Sequence, residues 1–173
     1  MLFSLLLMLL SCCLTAATST QSFNERSTEQ HGDVVYNDYY HTATRSKLSF
    51  VKSSGICETT PGVNQYSGYL SVGEDANMWF WFFESRNEPR TAPLVSWFGG
   101  GPGNSAQYGM FTQNGPCEIL DNNTEPSLRE FSLNNHANVL YIDQPIGTGF
   151  SHGDGGKANI NFARDNSNRP LIN

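Results

Sequence analysis

Four glycines and a proline, Gly99-Gly100-Gly101-Pro102-Gly103, stand between an apolar run and a helix-compatible stretch. No regular element tolerates such a run in its interior. Glycine loses the most backbone freedom on ordering, and proline brings no N–H. The run therefore fixes a boundary. Before it, Pro93-Leu94-Val95-Ser96-Trp97-Phe98 reads as a strand. After it, Asn104 or Ser105 can cap a helix from Ala106, and Asn114-Gly115-Pro116 stops that helix. A loop in this position presents backbone N–H groups with no Cβ in the way, able to hold an anion or a developing oxyanion. It is equally a tight turn that lets strand and helix pack closely.

Three further strands surround this unit. Tyr66, Gly68, Leu70 and Val72 alternate with Ser67, Tyr69 and Ser71, the period of a half-buried strand. Gly73 to Asn77 is a loop of hairpin length, and Met78-Trp79-Phe80-Trp81-Phe82-Phe83 then runs unbroken, as a strand covered on both faces does. Asn138 to Asp143 is the next strand, followed by Gln144-Pro145-Ile146-Gly147-Thr148-Gly149. A hairpin followed by strand, helix and strand is an α/β order. Residues 18–47 are polar without a sustained period and read as an exposed leader arm, and 153–173 read as an irregular tail.

The first segment predicts export. Leu2 to Leu14 is nearly all apolar, too short to span a bilayer, and is followed by Ala16 and Ala17, which makes residues 1–17 a signal peptide despite an n-region without Lys or Arg. Cys12 and Cys13 leave with it. Cys57 and Cys117 remain, in a compartment where thiols oxidise, and either pair with each other or seek partners elsewhere. Asn122-Asn123-Thr124 is a glycosylation sequon in a polar stretch. At 173 residues the chain has room for one domain, and 38% apolar against 15% charged residues excludes intrinsic disorder. A net charge of −6 without a Lys/Arg cluster argues against nucleic acid or an anionic membrane as partner.

Two short motifs lack the structural context their chemistry needs. Gly101 to Ala106 fits G-x-G-x-x-A, but the next strand-end acid, Asp143, lies far beyond the roughly 20 residues a ribose contact needs, and no Lys-Ser/Thr pair makes a phosphate loop. No cofactor and no metal is expected. Gly149-Phe150-Ser151-His152-Gly153 fits G-x-S-x-G and would make Ser151 an esterase nucleophile. The strand ends too early, glycine follows where a helix is needed, and no His comes after His152.

Longer blocks carry more. Ala92 to Ser105 resembles the W-[LF]-N-G-G-P-G-C-S block of the serine carboxypeptidases, Gln113-Asn114-Gly115-Pro116 its E-x-G-P continuation, and Ala137 to Ser151 the A-N-V-L-[FY]-[IL]-D-Q-P-x-G-x-G-F-S block. Gly55 to Val63 and the strand after it look closest to the fungal S1-type branch. The resemblance covers about residues 50–152, with two long blocks in order at the right spacing.

It implies an α/β-hydrolase fold, truncated to its N-terminal strands and oxyanion-loop region, over residues 48–152. It implies secreted or vacuolar enzymes that release single residues from peptide C-termini through a Ser-Asp-His triad. By position, the Gly100 and Gly101 backbone would supply the oxyanion loop, while the G-E-S-Y-A-G block and the later Asp and His have no counterpart in this sequence. The chain is therefore expected to be inactive as given, with a non-catalytic peptide- or subunit-binding module as the alternative. Gly99 stands where the family has Asn and Gln113 where it has Glu, two positions that grip the substrate carboxylate; a lost buried partner there costs about 1–3 kcal/mol. Asn104 replaces a family Cys and Leu133 a Trp, so the active-site face departs more than the scaffold, as in a lapsed or redirected function. Truncation is expected to leave Trp79 to Phe83 at an unpaired edge. Oligomeric state is left open.

Overall fold

The structure is a computed structural model and describes residues 25–73, 75–120 and 124–154. The signal peptide expected over 1–17 and most of the tail, 155–173, lie outside the described residues.

A mixed sheet organises the molecule. Its strands are β1 (Glu25–His31), β2 (Val34–His41), β3 (Ser46–Lys52), β4 (Gln65–Ser71), β5 (Ala76–Phe83), β6 (Leu94–Phe98), β9 (Asn138–Ile142) and β10 (His152–Gly153). The short strands β7 (Cys117–Glu118) and β8 (Ser127–Leu128) pair apart from it. The spatial order is β1-β2-β3-β4-β5-β9-β6, with β10 paired to the start of β5. All neighbours are antiparallel except β6 and β9, which run parallel in the register Val95↔Val139 and Trp97↔Tyr141. Between these two lies the helical crossover a parallel pair requires. It is α1 (Ala106–Gly109), running directly into a wider π turn at Met110–Asn114.

Strand alternation puts one face of β5, β6 and β9 against that crossover. Phe83, Val139, Tyr141, Ala106 and Met110 are fully buried there, with Trp81, Val95, Trp97 and Phe111 packed around them. The disulfide Cys57–Cys117 joins this core.

Three expectations change. From Glu25 onward the supposed arm is β1, β2 and the start of β3. These strands are polar because β1 is solvated, so alternation is masked, and Gly32, at a φ of +62°, makes the turn between β1 and β2. Second, β5 is not an edge: β4 pairs with it through Gln65–Ser71, and β9 through Val139–Ile142. Among the described residues the sheet edges are β1 and β6; β6 is one because the chain crosses over α1 and inserts β9 between β5 and β6. Third, among the described residues β5 is closely packed on one face only. Met78, Phe80 and Phe82 share the other face with Leu48, Phe50, Leu140 and Ile142 in a continuous, half-buried apolar surface. Leu94 and Phe98 extend it at the edge, 63% and 47% exposed. A run of six apolar residues cannot distinguish one covered face from two.

Candidate functional site

The glycine loop leaves the carboxyl end of β6, beside the carboxyl end of β9. Gly100 and Gly101 are exposed, and Gly101 and Gly103 take φ of +131° and +105°, conformations open to glycine alone at ordinary cost. The loop is closed tightly on itself. A Cβ at Gly99 would lie 1.9 Å from the Asn104 carbonyl oxygen, so that carbonyl occupies the space a side chain at 99 would need.

Ser105, not Asn104, caps the helix, its Oγ accepting from the Gln107 N–H at 3.1 Å. The same hydroxyl donates to Asp143 Oδ1 at 2.7 Å, and the Ala106 N–H donates to that oxygen at 2.8 Å. Asp143 Oδ2 accepts from the Phe150 N–H at 3.0 Å. One fully buried carboxylate therefore ties the start of the helix to the loop that follows β9. In the sequence Asp143 stands out only as a strand-end acid too distant for a ribose contact. The available signal was the pairing of a strand-end acid with a glycine six residues on, for a Cβ at Gly149 would stand 2.1 Å from Oδ2.

Gln113 sits on the last π turn, exposed to solvent. Its support is Arg129, whose guanidinium donates to the Phe111 carbonyl at 2.8 Å and the Gly115 carbonyl at 3.1 Å, and pairs with Glu118 at 3.2 Å. These bonds satisfy carbonyls that the helix end leaves without intrahelical partners. Tyr141 on β9 reaches the same turn, donating to Asn114 Oδ1 at 3.0 Å, and burial pushes its phenol well above the usual range.

Ser151 is only 3% exposed and its hydroxyl is spent on structure. Oγ donates to the Asp143 carbonyl at 2.6 Å and accepts from the Trp79 N–H at 2.7 Å. The His152 ring packs edge-on against Tyr69, 5.0 Å between centroids, and its Nδ1 lies 3.3 Å from the Phe150 carbonyl. That is no nucleophile–base arrangement. Asn122 lies outside the described residues. Among the described residues no group of three or more His, Cys, Asp or Glu side chains could hold a metal, and no helix is long and apolar enough to cross a membrane.

A strand, a self-closed glycine loop, a capped helix and a parallel return strand make one compact α/β unit. The family model for serine carboxypeptidases matches residues 55–168, and the chain belongs to that family. Within it the similarity is to fungal enzymes. Carboxypeptidase S1 of Penicillium janthinellum is 67% identical over 104 residues, 60% of this chain and 25% of that protein. Carboxypeptidase Y of Schizosaccharomyces pombe is 42% identical over 139 residues, 80% of this chain and 14% of its own length. A prohormone-processing carboxypeptidase from Saccharomyces cerevisiae, Kex1Δp, superposes with a TM-score of 0.49 at 29% identity, covering 60% of this chain and 24% of that structure. The chain thus spans about a quarter of the length of Carboxypeptidase S1.

Proposed function

We propose that this chain supplies the amino-terminal strands and oxyanion loop of a serine carboxypeptidase, and that it does not hydrolyse peptides by itself. The observation that carries the reading is the glycine loop: Gly100 and Gly101 lie open at the carboxyl ends of two parallel strands, on a helix start anchored by Asp143. Backbone N–H groups so placed stabilise a tetrahedral oxyanion and need no particular side chain. The chemistry is acyl transfer, with peptide C-termini as substrates and a secreted or vacuolar setting. Gly99 and Gln113 occupy positions that grip a substrate carboxylate in the family. Here the first offers no side chain and the second an exposed amide, so the reading includes weakened or altered carboxylate recognition.

A specific observation favours a second reading, a non-catalytic peptide- or subunit-binding module: among the described residues the sheet face around Phe80 and Phe82 is a continuous apolar surface only half-buried. Purified chain is assayed with N-acylated dipeptides and a serine-reactive fluorophosphonate probe. No turnover and no labelling are expected. Labelling that disappears in Ser151→Ala overturns this reading in favour of the esterase. Sequencing the transcript past the Asn173 codon then separates the two surviving readings: a downstream G-E-S-Y-A-G-like block with later Asp and His supports the first, and a stop codon the second.

A further inference from the structure

The course of the glycine loop is fixed at both ends. Its start continues β6, and its end, Ser105, is held by Asp143. Between them the Asn104 carbonyl packs against Gly99, so the loop has little slack. Asp143 is fully exhausted by these duties: Oδ1 accepts from Ser105 Oγ and the Ala106 N–H, Oδ2 from the Phe150 N–H, and its backbone carbonyl from Ser151 Oγ. It joins none of the ion pairs among the described residues. Buried carboxylates without a cation persist only when such donors replace water.

We infer that Asp143 is the positioning residue of the oxyanion loop, locking the Gly99–Gly103 loop and the Gln144–Ser151 loop to one another so that the Gly100 and Gly101 N–H groups keep one location. Its bearing on catalysis rests on the proposed acyl-transfer reading; the coupling of the two loops does not. Only an aspartate fits. Asparagine has one acceptor oxygen and can serve one loop at a time. Glutamate is a methylene longer, and Gly149 already leaves no space for even a Cβ near Oδ2.

Residue-level amide hydrogen exchange on the full chain tests this without any need for turnover. Asp143→Asn preserves volume, so a packing role alone predicts no change. Positioning predicts that either the Ala106 and Gln107 amides or the Phe150 amide exchange on the order of tenfold faster, as expected for loss of a charge-assisted hydrogen bond, while the β4–β5 amides hold their rates. Asp143→Ala frees both loops. Unchanged exchange in both loops of the Asn variant overturns the inference, as does equal acceleration across β4 and β5. Should the Asp143 variants not fold, Ser105→Ala removes one donor and leaves the carboxylate in place. Because it also removes the cap on the Gln107 N–H, the readout is Ala106, which is expected to accelerate while Phe150 is spared, and an unchanged rate at Ala106 overturns the inference. Failure of the carboxypeptidase reading shows separately, as a transcript without a downstream catalytic block.

Discussion

A side chain at position 99 has nowhere to go. The family's Asn at this position would bring its Cβ to 1.9 Å from the Asn104 carbonyl oxygen, well inside contact distance, so the backbone must move to admit it. Gly99→Asn is therefore expected not to restore the family's geometry but to destabilise the chain by about 1–3 kcal/mol, the usual cost of overpacking. Urea unfolding of the two proteins checks it; equal midpoints would show that the loop yields freely. The Gly99 substitution was legible in the sequence. Its consequence was not, because the oxygen that fills the vacated space comes from the other end of the same loop.

Between elements, polar links crossing long stretches of chain hold the site in place. Glu58, buried beside the disulfide, accepts from the Thr60 N–H at 2.9 Å and Asn134 Nδ2 at 2.7 Å and pairs with Arg86 at 2.9 Å. Burial pushes its carboxyl up, but the Thr60 and Asn134 hydrogen bonds and the Arg86 charge outweigh it and hold it below the ordinary glutamate value. A lowered folded-state pKa stabilises the fold fully above the unfolded value, and that contribution fades as pH falls through the lowered one. Glu58→Gln is thus expected to be less stable than the parent at neutral pH and to lose less on acidification, read from urea midpoints between about pH 2 and 6. The Cys57–Cys117 bridge acts on the same region by a different route. It closes a separation of 60 residues, and in the chain-entropy account its removal in a Cys57→Ser, Cys117→Ser double variant costs about 4 kcal/mol. A loss below about 1 kcal/mol would show that the unfolded chain is already constrained by other means.

Across the described residues, the sheet is closely packed on one face and carries a continuous, half-buried apolar surface on the other. Proteins rarely leave a contiguous apolar surface uncovered, and unpaired strand edges invite further pairing. Phe80, Phe82 and Ile142 line such a surface and β6 is such an edge, so the purified chain is expected to bind a hydrophobic dye and to self-associate. Leu94 and Phe98 are exposed and lie along that edge, so replacing both by Lys is expected to reduce association with little loss of stability. Sedimentation velocity at two concentrations checks this, and a parent chain that stays monomeric with no dye response would refute it.

The sequence by itself determined the local units: the β4–β5 hairpin, the strand that ends at Phe98, a helix start at Asn104 or Ser105, the stop at Gly115 and the family to which these blocks belong. Each is written in neighbours a few residues apart, through alternation, capping and backbone freedom. Tertiary structure alone decided the rest. It placed β9 between β5 and β6, turned the polar stretch from Glu25 into strands, made Asp143 the tie between two loops and spent Ser151 on hydrogen bonds. Those outcomes depend on which distant donors and acceptors meet once apolar faces are buried, and a residue's local pattern carries no record of a partner seventy positions away.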